Sequence, residues 1–176
     1  MEDALILILD VDGTLADASH RSHYVDGNVK DWGKFLQPHL VLQDTVIEGA
    51  HRGYHHLNRI ATKTLFLTGR NEGLRETTTQ WLGTHFEVAC SPRNLIMRPI
   101  GDNRVPTVFK HEALCTIEDS LFWGGFNSET IMAIDDDKFM MKIYRDLGYI
   151  TLFAPDCWKT MFPDFDHLTD ETTWRK

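Results

Sequence analysis

The chain has few cysteines, no stripe of basic residues and no long apolar run, and each shortage narrows what it can be. Its three cysteines, Cys90, Cys115 and Cys157, have neither paired nor metal-like spacing. Disulfide scaffolds and zinc clusters are thereby excluded, and the thiols are expected to be reduced and mostly buried. No apolar stretch approaches the ~20 residues of a membrane helix, and Met1-Glu2-Asp3 lacks the basic start of a secretory signal. A soluble, cytoplasmic protein without a membrane partner is the expectation. The formal net charge is −8, with the cationic residues scattered, which argues against stable binding of a long nucleic-acid tract. The Gly-x-x-x-x-Gly-Lys-Ser/Thr loop of nucleotide kinases does not occur, so no kinase activity is expected.

What is present begins with the apolar run Ala4 to Leu9, followed directly by Asp10-Val11-Asp12-Gly13-Thr14. A buried strand of a parallel sheet reads as an unbroken apolar segment, and open α/β sheets bind ligands just beyond the carboxyl ends of such strands. Extended backbone turns alternate side chains to one face, so Asp10 and Asp12 can aim at one small volume. Gly13 permits the sharp turn that follows, and Thr14 adds a hydroxyl beside it. At 176 residues and 42% hydrophobic, the chain suits one core and one domain spanning 1–176.

The same design recurs. Thr64-Leu65-Phe66-Leu67 ends in Thr68-Gly69-Arg70 and gives way to a helical pattern with Leu74, Thr78, Trp81 and Leu82 on one face. A hydroxyl, an open backbone and a planar guanidinium beside a helix start suit a phosphate. Ile131-Met132-Ala133-Ile134 runs into Asp135-Asp136-Asp137, then into a helix with Phe139, Met140, Ile143 and Leu147 at helical spacing and a stop at Gly148. Asp137 is expected to cap that helix. Between them, Lys110 heads a helical segment in which Leu114, Ile117 and Leu121 share a face.

The ordered set Asp10-x-Asp12-Gly-Thr, Thr68, Lys110 and Asp135-Asp136 resembles the four motifs of the haloacid dehalogenase-like (HAD) phosphohydrolases, over residues 4 to about 153. Phe66-Leu67-Thr68-Gly69-Arg70, Trp81-Leu82, Leu95-Ile96-Met97-Arg98, Gly101-Asp102-Asn103-Arg104 and Ala133-Ile134-Asp135-Asp136 are similar, more narrowly, to the 3′-phosphatase domain of phage-type polynucleotide kinase/phosphatases. The resemblance implies a Rossmann-like three-layer α/β sandwich with a central, mainly parallel sheet of about five strands. It implies Asp10 as nucleophile and Asp12 as general acid and base. Thr68 and Lys110 would hold the transferring phosphoryl oxygens, with Thr14, Gly69 and Arg70 beside them.

It implies a metal as well. Carboxylates gathered this way repel by about 4 kcal/mol per pair at roughly 4 Å and an effective dielectric near 20, and all-oxygen ligation with room for water and phosphate suits Mg²⁺. The implied ligands are Asp10, Asp135, the Asp12 main-chain carbonyl, and Asp136 directly or through water. The expected substrate is a 3′-phosphate at a nucleic-acid end or on a nucleotide. Alternatives are a nucleoside monophosphatase and a non-catalytic subunit that binds phosphorylated ends.

Residues 16–44, rich in His, Gly, Tyr and Trp, fit the small flap that such proteins carry after the first strand. There Arg21, Tyr24 and Trp32 suit stacking on a base or sugar, or Trp32 and Phe35 anchor the flap to the core. His51, His55 and His56 lie on a helix whose apolar side is Ile47, Ala50, Tyr54, Leu57 and Ala61, and are read as solvated. The aromatic tail 155–176, with Trp158, Phe162, Phe165 and Trp174, either packs on the sheet or serves a partner.

Overall fold

The computed structural model describes residues 4–123 and 128–162. The side chain of Leu121, and Phe165 and Trp174 of the tail, lie outside the described residues. In chain order the elements are β1 (Leu5–Leu9), β2 (Ala16–Asp17), α1 (Ser19–Ser22), α2 (Trp32–Phe35), α3 (Pro38–Val41), β3 (Thr45–Val46), α4 (Ala50–Ile60) and β4 (Ala61–Asn71). They continue with α5 (Arg75–Phe86), β5 (Leu95–Arg98), α6 (Pro106–Trp123), β6 (Ile131–Asp135), α7 (Lys138–Asp146), β7 (Ile150–Phe153) and α8 (Asp156–Met161).

Five parallel strands form the main sheet in the order β5-β4-β1-β6-β7, as the α/β reading expects. β1 sits at the centre because it can be buried on both faces: Ile6, Leu7, Ile8 and Leu9 are all 0% exposed. Its alternation divides them between two cores. Ile6 and Ile8 pack with Phe109, Leu114, Met140 and Tyr144 from α6 and α7. Leu7 and Leu9 pack with Tyr54, Leu57, Trp81, Phe86 and Trp158 from α4, α5 and α8. Helices cover both faces, giving three layers.

Register places the site residues side by side. Leu9 pairs with Phe66 of β4 and with Ile134 of β6, so Asp10 emerges beside Asp135 and beside the stretch of β4 that leads into Thr68. The Asp10 N–H donates to the Ile134 carbonyl at 3.0 Å, holding that junction. The insert after β1, whose residues 16–44 are read above as a flap, is closed at its base by the antiparallel β2–β3 pair.

Three expectations need correction. β4 runs on through Thr68, Gly69 and Arg70 to Asn71, with its pairing to β5 shifting between Thr68 and Asn71. Phe139 is exposed rather than a core residue, because α7 buries Met140, Met141 and Tyr144 instead. Cys115 is exposed on α6, whereas Cys157 is buried and Cys90 half-buried. The expected cap is in place: Asp137 Oδ1 accepts the Phe139 N–H at 2.7 Å, and Gly148 follows α7 at φ +82°.

The start of the tail packs inward. Trp158 is fully buried, and its indole N–H donates to the Thr14 carbonyl at 2.7 Å. Gly53 on α4 makes room for it: a Cβ there would lie 2.4 Å from Trp158 Cε3 and 2.9 Å from Phe162 Cδ2. An alanine inside a helix normally gains about 0.5–1 kcal/mol over glycine, while overpacking a core costs about 1–3 kcal/mol. Gly53→Ala is therefore expected to lower stability, by about 1–2 kcal/mol in a denaturant titration.

Candidate active site

A cavity of about 740 Å³ opens over the carboxyl ends of β1, β4 and β6. Asp10, Asp12, Gly69, Arg70, Lys110 and Asp136 line its floor side, and the flap contributes Lys30, Trp32 and Phe35. The opposite wall is the loop after β5. There Arg104 grips both Asp102 oxygens at 2.8–3.0 Å and Glu112 on α6 at 2.7–3.0 Å. Arg104 holds the Asp102 carboxyl down at about 2.

Lys110 lies one turn into α6 and is buried. Its Nζ stands 2.8 Å from Asp10 Oδ1 and 2.9 Å from Asp135 Oδ2, one cation bridging two carboxylates. Asp135 is fully buried, accepts the Asp137 N–H at 2.9 Å on Oδ1, and takes the Tyr144 hydroxyl at 3.3 Å on Oδ2. Burial pushes the Asp10 carboxyl well above the ordinary carboxylate range; Lys110 opposes this, while Asp135 and Asp136 add to it. Desolvation and then Asp135 push Asp136, exposed at the mouth, up to about 6.

Burial is the larger cause of both shifts and the neighbouring carboxylates add to it, a part that a cation would relieve. Oxygens of Asp10, Asp135 and Asp136 lie within 4.8 Å of one another, so the donors present fit a hard divalent ion. Gly13 keeps that arrangement open: its φ is +80°, and a Cβ there would lie 2.0 Å from Asp136 Oδ2. Gly13→Ala is expected to cost about 1–2 kcal/mol from the left-handed backbone. Because Asp136 must also swing aside, the divalent-ion concentration for half-maximal activity should rise, which a metal titration of the purified variant reads out.

Asp12 is held differently. Arg70 donates to Oδ2 from Nε at 2.9 Å and to Oδ1 from Nη2 at 2.7 Å, and Arg21 donates to Oδ1 at 2.8 Å. Burial alone would raise this carboxyl, yet Arg70 and then Arg21 hold it below its ordinary range. Both guanidiniums are completed by Asp44, which accepts from Arg21 Nε at 2.7 Å, Arg21 Nη2 at 2.6 Å and Arg70 Nη2 at 2.8 Å. Two cations and two anions thus form a neutral quartet, with His20 touching Asp44 at 3.0 Å.

The structure brings Asp10, Asp12, Lys110, Asp135 and Asp136 to one place, as the motifs imply. Thr68 is buried beside them, its Oγ1 accepting the Arg70 N–H at 3.2 Å. The Arg70 guanidinium is taken up by Asp12 and Asp44. Thr14 is fully buried, its hydroxyl is unpartnered, and it does not line the cavity. Arg21 is not available to stack on a base: it is 0% exposed in the quartet, with its guanidinium carbon 4.1 Å from the Phe35 ring centre. Trp32, 48% exposed on the cavity rim, is free to do so and meets Phe35 edge-on, while the neighbouring Leu36 is the residue that packs on the core. Sequence reasoning missed Asp44 and Tyr144. Asp44 is a lone acid in a turn, and Tyr144 reads as one more core aromatic, so neither carried a local signal.

The sequence matches the family model of the polynucleotide kinase PNKP phosphatase domain over residues 4–157. No curated protein is similar enough in sequence to match. Among solved structures, the fold is similar to a haloacid dehalogenase-like family hydrolase from Streptococcus pneumoniae, at 14% identity and TM-score 0.57 over 87% of this chain and 85% of that one. It is also similar to a chain of the Pnkp1/Rnl/Hen1 RNA repair complex, at 18% identity and TM-score 0.54, covering 87% of this chain and 43% of that one. This chain thus spans under half the length of that relative. A HAD-superfamily hydrolase from Geobacter sulfurreducens matches at 13% identity and TM-score 0.53, over 86% and 87% of the two chains. The parallel sheet, the acids at its carboxyl edge and the family match agree: the chain belongs to the family of the polynucleotide kinase PNKP phosphatase domain, and is a phosphatase of haloacid dehalogenase-like type.

Proposed function

We propose that the protein is a Mg²⁺-dependent phosphomonoesterase that removes 3′-phosphates from nucleic-acid ends or nucleotides through a phosphoaspartate on Asp10. The observation that carries this reading is the Asp10 carboxylate, set against Lys110 at 2.8 Å on the floor of a cavity with an exposed tryptophan on its rim.

In this reading an Asp10 oxygen attacks phosphorus, and the bond from phosphorus to the leaving alcohol's oxygen breaks. That alcohol takes a proton from Asp12. Water, giving its proton back to Asp12, then attacks phosphorus and frees phosphate from Asp10. Lys110 steadies the charge that develops on the transferring oxygens. Mg²⁺, held by Asp10, Asp135, the Asp12 carbonyl and Asp136, would supply charge neutralisation and a template for the phosphate. Arg21 and Arg70 keep Asp12 ionised, so the proton-donating form requires that carboxylate to leave their grip. Because Arg21 sits on the flap at α1, flap position and proton delivery are coupled.

The cavity suits a terminal nucleotide: one stacking face on Trp32, with Lys30 Nζ 5.7 Å from its ring centre. The net charge of −8 favours a second reading, hydrolysis of free nucleoside monophosphates. Phosphate release from a 3′-phosphorylated oligonucleotide, a 3′-mononucleotide, a 5′-mononucleotide and an aryl phosphate, each with Mg²⁺, tests both. Fastest release from a 3′-phosphate is expected. A preference for the 5′-mononucleotide would replace this substrate assignment, and no release from any of the four would indicate a non-catalytic end-binding subunit.

A further inference from the structure

Three histidines on α4 take no part in the site above. His51 and His55, four residues apart, stand on one helix face, and their Nε2 atoms lie 3.1 Å apart. His56 turns elsewhere, its ring centre 5.4 Å from that of Phe162.

One imidazole donating to the other accounts for that distance, but such a bond between solvent-accessible rings contributes little against water. The distance also has a metal-chemical meaning. With zinc–nitrogen bonds of about 2.0–2.1 Å, two ligands at angles between square and tetrahedral stand about 2.9–3.4 Å apart. The two nitrogens therefore already sit at ligand-to-ligand separation.

The rings are also held in place from behind. Phe86 backs His51 with ring centres 5.9 Å apart, and Tyr54 backs His55 at 5.1 Å. Both aromatics are buried core residues, so the rotamers that converge the nitrogens are supported before any ligand arrives. Partial burial, and then His51, lower the His55 pKa while Glu87 opposes, which favours the neutral ring that a metal needs. Glu87, the C-cap of α5, places negative charge in the neighbourhood.

We propose that His51 and His55 form a peripheral binding site for a divalent transition-metal ion of the zinc type, separate from the acidic cluster. Imidazole pairs select zinc, copper or nickel, whereas the all-carboxylate cluster selects magnesium. Among the described residues no third His, Cys, Asp or Glu joins the pair within 4.8 Å, so water fills the other positions and the ion exchanges readily. Because the two nitrogens converge only on a formed helix, binding stabilises the fold.

The test titrates the full chain with ZnCl₂ by calorimetry, with excess Mg²⁺ to occupy the acidic cluster, and repeats it on His51→Asn, His55→Asn and His56→Asn. One Zn²⁺ per chain is expected in the wild type and in His56→Asn, with affinity at least about tenfold weaker in each of the other two as the chelate is lost. Zn²⁺ should raise the melting temperature of the first pair of proteins and not the second. Unchanged Zn²⁺ affinity in His51→Asn and His55→Asn, equal loss in His56→Asn, or no uptake by the wild type would each overturn the proposal. Wild-type rates of aryl phosphate hydrolysis in all three variants show that they are folded.

Discussion

Asp10→Asn is expected to lose turnover by at least about 10⁴-fold while keeping its fold, the pattern of a removed covalent nucleophile. Asparagine has nearly the same shape, so packing at the end of β1 is undisturbed, but its amide oxygen cannot displace an alcohol from phosphorus. Stability should not fall. Burial, Asp135 and Asp136 all disfavour the ionised Asp10 in the metal-free protein, and Lys110 keeps Asp135 at 2.9 Å as its partner. Initial rates on an aryl phosphate and on a 3′-phosphorylated oligonucleotide, with a thermal melt alongside, check both halves. A rate within tenfold of wild type would remove Asp10 from the nucleophile's position. Asp12→Asn should fail differently, because it leaves Arg21 and Arg70 short of a negative charge: activity and melting temperature should fall together.

The parts of this molecule that were legible in the sequence are those with a period or a local stereochemical rule. The unbroken run before Asp10 marked a buried strand, since a strand covered on both faces carries apolar residues at consecutive positions. Asp137 before α7 and Gly148 after it followed capping rules. The acidic site was legible because the order of the motifs resembles the haloacid dehalogenase-like pattern, and the parallel register carries Asp10, Arg70 and Asp135 to one sheet edge. The quartet was not. Arg21 and Asp44 are 23 residues apart and Arg70 and Asp12 are 58 apart, and ion pairs across such separations leave no periodicity. An arginine in a flap reads as solvent-facing until the partner that buries it is known. The burial of Thr14 was illegible for a related reason: its carbonyl is taken by Trp158, 144 residues later. Phe139 shows the limit of a helical stripe, since the choice between neighbouring stripes on α7 depends on how the helix rolls against β6 and β7.

Asp44→Asn is the substitution expected to cost the fold most. Asp44 is 2% exposed and supplies one of two negative charges to two fully buried guanidiniums. Asparagine keeps the volume but leaves the group with two cations and one anion, and turns an N–H₂ toward an arginine. Breaking a buried pair by neutralising one partner costs about 3–5 kcal/mol, because the remaining charge stays desolvated. That is a large share of the about 5–15 kcal/mol that holds a domain together. At about 2–4 °C per kcal/mol for a chain of this size, the melting temperature should drop by roughly 6–20 °C. His20 provides the control. Its Nε2 also meets Asp44, at 3.0 Å, but its side chain is 34% exposed, so His20→Asn should cost under about 1 kcal/mol. If the two variants melt within about 2 °C of each other, water reaches the guanidiniums and the quartet is not a sealed unit. A large gap between them establishes Asp44 as the counter-charge that allows Arg21 and Arg70 to stay buried.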